Sequence, residues 1–305
     1  MSPPLHPCPL CESDDTTEFL VRNVPGIFEC QKCGFRFADS FDSEDSGLYD
    51  ASFADTNVHP TYQKCNGRYV VRNRDKMIAL LNKLARFKQN GRFLDVGCSA
   101  AFFLLVAREC GWTPYGVEIA PWAAEFSRTE LGMNVFNGRL EDASFPDNHF
   151  DVIFSSHVME HIRRPLDLTQ EMARVLRPGG AHVTVVPTQF AAPSWRFAHR
   201  FTGDPPPKHT SFFDHRTYTA LLERAGLKVT SYQYNIELAK LQRLLKPEEQ
   251  LLAEWRQEKS TSENGPERVP LIPRIARHFK PLINYVGTAI STGDEIVVIA
   301  EKEHN

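Results

Sequence analysis

The chain lacks an excess of positive charge, a hydrophobic run of membrane-spanning length and the cysteine density of a disulfide scaffold. Its 305 residues include 35 Lys and Arg against 38 Asp and Glu, giving a net charge of -3. Proteins that hold nucleic acid through their overall field are usually basic, so this balance argues against a nucleic-acid partner. The seven cysteines exclude a disulfide-stapled fold.

Targeting signals are also lacking in the sequence. The N-terminal segment has no basic stretch followed by an apolar core, and no stretch approaches the roughly 18 apolar residues of a spanning helix. We therefore expect a cytoplasmic protein. A hydrophobic content of 42% together with 17 glycines is typical of a globular chain, and this length has room for roughly two domains.

Four of the cysteines form two close pairs near the N-terminus. Each pair has two intervening residues, and the spacing between the pairs is typical of zinc sites with four thiolate ligands. We expect a zinc ribbon over residues 1–40, with short strands at 18–21 and 26–29. Four protein ligands leave no open position, so the single zinc ion would be structural; the alternative is four unrelated buried thiols. The expected ligands are Cys8, Cys11, Cys30 and Cys33.

The segment after the ribbon changes in composition. Residues 41–65 are acidic and serine-rich, which indicates a linker. Residues 66–88 carry apolar side chains at helical spacing, so we expect a helix that leads into a second domain over residues 66–305.

The second domain alternates strand and helix patterns. A buried strand ends at Gly97, a helix follows over 102–110, and a second strand over 113–119 contains Glu118 near its end. This order is typical of a nucleotide-binding βαβ unit. Further strands are expected at 134–140, 150–155, 181–186, 227–234 and 294–301. The pattern predicts an α/β, doubly wound, mostly parallel sheet of seven strands, with a helical insertion at about 235–292.

Four motifs in this order carry a family resemblance. They are LDVGCSAAFFL at 94–104, the acidic strand end at Glu118, LEDASFPDNHFDVIFSSHVMEHI at 140–162 and RVLRPGG at 174–180. Together they resemble the class I S-adenosylmethionine-dependent methyltransferases. With a ribbon in front, the chain is similar to bacterial methyltransferases of sugar, polysaccharide and natural-product pathways. The resemblance implies S-adenosylmethionine as cofactor and a small polar molecule, such as a sugar or a lipid-linked glycan intermediate, as methyl acceptor.

The resemblance also implies the residues that bind the cofactor. Glu118, as a carboxylate, can accept hydrogen bonds from both ribose hydroxyls. Asp95 is expected near the amino group, and residues 140–141 beside adenine. The full expected set is Asp95, Gly97, Cys98, Ser99, Ala101, Phe102, Glu118, Ile119, Leu140, Glu141, Ser155 and Ser156.

The turn after the first strand departs from the family's G-x-G-x-G pattern. Only Gly97 is retained, while Ser99 and Ala101 occupy the second and third glycine positions. We expect the methyl group of Ala101 to narrow the space beside the cofactor. A non-catalytic scaffold is one alternative. A dinucleotide-dependent dehydrogenase is another, although its loop needs three glycines.

Histidines are the candidate catalytic groups. His157, Glu160 and His161 match the H-x-x-E-H pattern of a zinc peptidase helix, but they follow the fourth strand of a methyltransferase-like sheet. A hydroxyl or amine acceptor must lose a proton, and histidine titrates in the required range. We expect His157, His161 and His209 to contact the acceptor; the alternative is a polar cluster at a helix start. Trp195 and His199 are further candidates for acceptor contacts, with simple loop packing as the alternative.

The C-terminal part contains a basic amphipathic pattern. Apolar residues recur at helical spacing over 272–286, with three basic residues between them. A helix at about 270–290 could contact a membrane surface or cover the active site as a lid. The remaining alternative for the whole chain is a zinc-ribbon RNA methyltransferase, against which the few basic residues of the ribbon argue. No feature of the sequence indicates an oligomeric state.

Overall fold

The computed structural model describes residues 7–19, 26–38, 62–65, 68–71, 73–188, 208–235 and 295–304. The expected insertion at about 235–292 and the amphipathic segment at about 270–290 lie outside these ranges, as do Trp195 and His199. Among the described residues, no helix is long and apolar enough to cross a membrane.

The described part contains thirteen strands, five α-helices and several single-turn 3-10 helices. The strands are β1 (Thr16–Glu18), β2 (Ile27–Cys30), β3 (Arg36–Ala38), β4 (Tyr62–Cys65), β5 (Arg68–Val71), β6 (Arg92–Val96), β7 (Thr113–Glu118), β8 (Asn134–Asn137), β9 (Phe150–Ser156), β10 (Leu176–Pro187), β11 (Ser211–Phe212), β12 (Leu227–Asn235) and β13 (Glu295–Lys302). The helices are α1 (Arg74–Leu84), α2 (Phe102–Glu109), α3 (Pro121–Thr129), α4 (Pro165–Val175) and α5 (His215–Arg224).

Seven strands form one sheet in the order β12-β13-β10-β9-β6-β7-β8. The strand pairs from β10 to β8 are parallel, and β13 is antiparallel to both of its neighbours. Strand β6 is buried along almost its whole length, as expected for a strand covered by helices on both faces. The predicted doubly wound sheet of seven strands is confirmed.

The chain reverses its direction of winding between β6 and β9. From β6 it proceeds outward to β7 and β8, and then returns to place β9 on the other side of β6. In open α/β sheets, ligands bind in the crevice at the carboxyl ends of strands where the order reverses. The topology therefore places a site between the turn after β6 and the turn after β9.

The N-terminal cysteine-rich segment is joined to the second domain by a shared sheet. Strands β1, β2 and β3 form an antiparallel sheet, whose fourth strand is β11 of the second domain. Phe37 lies opposite Ser211, and the Ala38 amide donates a hydrogen bond to the Thr210 carbonyl. One apolar cluster continues from Phe35 through Phe213 to Tyr218.

Several expected boundaries differ from the observed ones. The helix expected over 66–88 begins only at Arg74, because residues 68–71 pair with residues 62–65 as a hairpin. That hairpin also includes the end of the expected linker. The strand expected over 18–21 lies at Thr16–Glu18, and the ribbon has a third strand, β3, which the sequence pattern did not indicate.

Candidate functional site

The turn after β6 adopts left-handed backbone at alternate residues. Gly97, Ser99 and Ala101 have φ values of 73°, 49° and 54°. These are the three positions that carry glycine in the G-x-G-x-G pattern. Left-handed backbone costs an L-residue about 1–2 kcal/mol, so Ser99 and Ala101 hold the glycine conformation at the expense of strain. The substitution changes the residues of the turn but preserves its path.

Gly97 also fits a close contact between the two turns at the switch point. A Cβ at this position would lie 2.4 Å from Cγ2 of Val158, which is in the turn after β9. That distance is far inside van der Waals contact. The absence of a side chain at Gly97 therefore lets the two turns approach each other.

Glu118 at the end of β7 supports the same turn. Its Oε2 accepts a hydrogen bond from the Ser99 amide at 2.7 Å, and its Oε1 accepts one from the Ala120 amide at 2.8 Å. Burial raises the pKa of Glu118, although these amides partly lower it. A carboxylate offers about four acceptor sites. Both oxygens of Glu118 therefore retain acceptor capacity for a ligand.

Asp95, in β6, is a second buried carboxyl beside Glu118. Burial raises its pKa well above the usual range, and the negative charge of Glu118 raises it further. Two buried acids close together favour a cation between or near them, because an ionised carboxylate without a positive partner is costly in the interior. This edge of the sheet is suited to a positively charged ligand.

Three expected cofactor residues direct their side chains into the core. Cys98, Ala101 and Phe102 are buried and belong to the apolar cluster around α2. Ala101 is completely buried, so its methyl group packs inside the protein. This corrects the expectation that the methyl narrows the space beside the cofactor. Cys98 and Phe102 each expose only 7% of their surface.

The other expected cofactor residues fall into three groups. Ile119 and Glu141 are exposed and Ser156 is half-buried, all near the carboxyl ends of strands. Leu140 is buried in the main apolar cluster. Ser155 is completely buried, with its Oγ 3.0 Å from Oγ1 of Thr184 and 3.4 Å from Nε2 of His182. The Ser155 hydroxyl therefore serves an internal network, which corrects its expected place at the cofactor.

That internal network was not indicated by the sequence. Tyr218 donates from its hydroxyl to Oγ1 of Thr184 at 3.0 Å, so the polar chain crosses from α5 to β10 and β9. Burial lowers the pKa of His182 to about 4, which keeps its ring neutral. His182 and Thr184 alternate along β10, whereas Ser155 and Tyr218 come from β9 and α5, so only the tertiary fold brings the network together.

His157 follows β9 with left-handed backbone, at a φ of 55°. Its Nδ1 lies 3.2 Å from Oε1 of Glu160, and its Nε2 lies 3.3 Å from Oε1 of Glu295 in β13. Burial lowers the pKa of His157, but the two carboxylates outweigh this effect and raise it to about 10. Both ring nitrogens are thus engaged with acids, and the ring carries a positive charge at neutral pH.

His161 and His209 meet beside Glu160. The two rings are in edge-to-face contact, with centroids 4.8 Å apart. Nδ1 of His161 donates to the Lys208 carbonyl at 2.7 Å, and the Thr210 amide donates to the Glu160 carbonyl at 2.8 Å. All three histidines expected at the acceptor side therefore lie at the same edge of the sheet, around one buried glutamate.

The four N-terminal cysteines converge as the spacing predicted. Their sulfur atoms all lie within 4.8 Å of one another; Sγ of Cys8 is 3.6 Å from that of Cys33, and Sγ of Cys11 is 3.5 Å from that of Cys30. Burial raises the pKa of Cys8 to about 12 and also raises that of Cys33. Burial opposes ionisation of Cys30 as well, but backbone and thiol hydrogen bonds outweigh it and lower that pKa.

Comparisons with known proteins match the second domain. Residues 69–232 match the family described as "Methyltransferase domain". A demethylmenaquinone methyltransferase of Listeria welshimeri is 24% identical over 148 residues, 46% of this chain and 63% of that protein. The biotin biosynthesis bifunctional protein BioHC of Cellvibrio japonicus is 33% identical over 103 residues, 33% of this chain and 20% of that protein.

The matched part of the chain spans about 63% of the length of the Listeria welshimeri protein. A solved structure, a SAM-dependent methyltransferase from Archaeoglobus fulgidus, has a TM-score of 0.49 and 21% identity, covering 75% of this chain and 95% of that chain. The family match covers more than half of the chain, including both turns at the switch point. The chain belongs to the methyltransferase domain family.

Proposed function

We propose that this protein transfers a methyl group from S-adenosylmethionine to a small polar metabolite, with sugars and lipid-linked glycan intermediates as the favoured acceptors. The observation that carries the proposal is the pairing of the strained turn after β6 with the two buried carboxyls, Asp95 and Glu118, at the switch point of a methyltransferase sheet. The family membership of residues 69–232 supports the same reaction class.

The chemistry of the cofactor fits these residues. S-adenosylmethionine carries an ammonium group, a sulfonium, a carboxylate and a ribose diol. Its positive charge would relieve the unfavourable burial of Asp95 and Glu118. The remaining acceptor capacity of Glu118 suits the ribose hydroxyls. We expect the exposed Ile119 and Glu141 to contact the cofactor, with Glu141 beside the adenine.

The acceptor side is the cluster of His157, Glu160, His161 and His209. Methyl transfer depends chiefly on holding the acceptor in line with the methyl group. A hydroxyl acceptor must also lose a proton, and polar groups at this edge can orient it and favour that loss. We propose that these side chains contact the acceptor, because Glu160 and His209 are buried directly beside the turn that meets Gly97.

The direct test of the reaction uses S-adenosylmethionine with a labelled methyl group. The full chain is incubated with pools of sugars, sugar nucleotides, phenols and bulk RNA, and labelled product and S-adenosylhomocysteine are measured. We expect label in a small-molecule pool, and we expect His209→Ala to reduce transfer while cofactor binding persists. Label in RNA alone would favour an RNA methyltransferase. Failure of the chain to bind the cofactor would favour the non-catalytic scaffold.

We also propose that the four clustered cysteines bind one structural zinc ion. Sulfurs at about 2.3 Å from a tetrahedral zinc ion lie about 3.8 Å apart, close to the observed separations of 3.5 and 3.6 Å. Four sulfurs at this range favour a cation, which would stabilise the thiolates of Cys8 and Cys33 against the burial that raises their pKa values. Thiols held as metal ligands fit a reducing compartment, which supports the cytoplasm as the location.

Elemental analysis of the purified chain tests the zinc site, with Cys30→Ser as the variant. Loss of one ligand should release the ion and destabilise the ribbon, since metal binding supplies folding free energy in such small units. Because β3 pairs with β11, we expect the loosening to extend to residues 208–212, where amide hydrogen exchange should accelerate. Four freely titrating thiols in a zinc-free, equally stable parent protein would contradict the proposal.

A further inference from the structure

We propose that Glu160, His161 and His209 form a second metal site, which binds a divalent first-row transition ion and presents it to a hydroxyl of the methyl acceptor. The role toward the acceptor rests on the proposed function. The metal site itself rests on geometry alone and is tested separately. It is distinct from the cysteine cluster, because its ligands are two imidazoles and one carboxylate.

The distances between the ligand atoms are close to those that one ion requires. One ligand atom from each of the three residues lies within 4.8 Å of the others, and Nε2 of His161 is 4.0 Å from Oε1 of Glu160. In tetrahedral geometry, ligand atoms about 2.1 Å from one ion lie about 3.4 Å apart. Binding would therefore draw the ligand atoms together by at most about 1.4 Å.

Two details of the hydrogen bonding indicate a ligand at this place. Glu160 is 1% exposed, yet its Oε2 has no hydrogen-bond partner among the described residues. A buried carboxylate oxygen without a partner is costly, and an ion would satisfy it. Nδ1 of His161 donates to the Lys208 carbonyl, which leaves the Nε2 lone pair directed away from that bond. Metal-binding histidines usually have such a carbonyl partner.

The protein backbone holds the three ligands in place. Glu160 and His161 belong to the 3-10 turn Met159–His161, and His209 lies on the segment that precedes β11. The Thr210 amide donates to the Glu160 carbonyl, and Oγ of Ser211 donates to the Ile162 carbonyl at 2.7 Å. Pairing of β11 with β3 fixes this segment from the other side. The ligands are thus preorganised without the ion.

The ligand set selects the kind of ion and its chemistry. Two imidazoles and one carboxylate are typical of catalytic zinc and of other first-row transition ions, whereas Mg²⁺ and Ca²⁺ prefer oxygen ligands. Three protein ligands leave a coordination position open for water or substrate. His157 is not part of the set, because its two ring nitrogens contact Glu160 and Glu295.

An acceptor hydroxyl bound at the open position would have a lowered pKa. It would release its proton to solvent, and its oxygen would form a bond to the methyl carbon as the carbon–sulfur bond of S-adenosylmethionine breaks. The products are the methyl ether and S-adenosylhomocysteine. The favoured acceptors are therefore alcohols and phenols, rather than carbon nucleophiles.

A cobalt titration of the metal-free full chain tests the site without requiring activity. Co²⁺ bound by the cysteines gives thiolate-to-metal charge-transfer absorption, whereas Co²⁺ bound by nitrogen and oxygen does not. We expect a second equivalent of Co²⁺ to bind without adding to the thiolate band. Loss of an outer-shell partner typically weakens metal binding by about 10–100-fold. Glu160→Gln and His209→Gln should each weaken binding of the second equivalent by more than that. Zn²⁺ should displace this second equivalent.

The matched control is His149→Gln, which alters a histidine at the opposite end of β9 and should leave both equivalents in place. Retention of the thiolate band and of cofactor binding shows that a variant is folded. A parent chain that binds only the thiolate equivalent would overturn the proposal. A second equivalent that survives both ligand substitutions would overturn it too. If the ion binds but S-adenosylmethionine does not, the metal site stands and the proposed reaction fails.

Discussion

Gly97→Ala is the substitution that most sharply tests the contact between the two turns at the switch point. The new Cβ would lie 2.4 Å from Cγ2 of Val158, at a position with φ of 73°. Left-handed backbone costs an alanine about 1–2 kcal/mol, and overpacking costs about 1–3 kcal/mol. We therefore expect a loss of about 2–5 kcal/mol in the free energy of unfolding, together with weaker binding of S-adenosylmethionine.

A control separates backbone strain from the clash. Gly226 has a φ of 80°, and a Cβ there would meet nothing within 4 Å. Gly226→Ala should therefore cost only the strain, about 1–2 kcal/mol, and leave cofactor affinity unchanged. In the double variant Gly97→Ala with Val158→Ala, the nearest remaining atom would be the Cβ of residue 158, at 3.7 Å. This is ordinary contact, so the overpacking cost should disappear.

Chemical denaturation measures these terms in a double-mutant cycle of the parent, Gly97→Ala, Val158→Ala and the double variant, with Gly226→Ala measured beside it. We expect a favourable coupling energy of about 1–3 kcal/mol between positions 97 and 158. A cost of Gly97→Ala no greater than that of Gly226→Ala would contradict the clash. Costs of Gly97→Ala and Val158→Ala that simply add in the double variant would contradict it too.

Three further substitutions, at two positions, test the proposed cofactor half of the site. Asp95→Asn should raise the stability of the ligand-free protein, because the raised pKa of Asp95 means that its ionised form is disfavoured in the fold; that penalty appears as pH rises above the usual range of the group, so the gain should be larger at about pH 7 than at about pH 4. The same variant should lose affinity for S-adenosylmethionine. If the variant melts no higher than the parent, or by the same margin at both pH values, the raised pKa of Asp95 is contradicted. Ala101→Gly should leave cofactor affinity unchanged, since the methyl is buried, and stability should change by less than about 1 kcal/mol because relief of strain and loss of the buried methyl oppose each other. Ala101→Val should cost about 1–3 kcal/mol through overpacking, since the strain of the left-handed backbone is already present in the parent. Calorimetry and denaturation together check both variants, and tighter cofactor binding by Ala101→Gly would show that the methyl faces the ligand.

The parts of the fold that were predictable from sequence depend on local patterns. The strand ending at Gly97, the helix after it and the strand ending in Glu118 each carry their own apolar period and their own terminating residue. Parallel strands bring their carboxyl ends to one edge, so the proximity of Gly97, Glu118 and His157 follows from the order of elements alone. The convergence of the cysteine pairs follows from their spacing.

The parts that were not predictable depend on contacts between distant residues. Strand β11 has two residues and shows no periodicity, so nothing in the sequence indicated that it completes the sheet of the ribbon. The meeting of His209 with Glu160 depends on that same pairing. The orientation of Ala101 depends on the left-handed backbone of its own turn, which a substituted glycine pattern does not reveal.

The most direct test of the central claim is calorimetric titration of the full chain with S-adenosylmethionine, comparing the parent with Glu118→Ala. Removal of Glu118 eliminates the proposed acceptor for the ribose and the support of the Ser99 amide, for an expected loss of about 1.5–3 kcal/mol, or about tenfold to hundredfold in affinity. Glu125→Ala is the control, because Glu125 pairs with Arg128 on the exposed face of α3, and it should bind like the parent. A parent chain that does not bind S-adenosylmethionine, or a Glu118→Ala variant that binds it as tightly as the parent, would contradict the account.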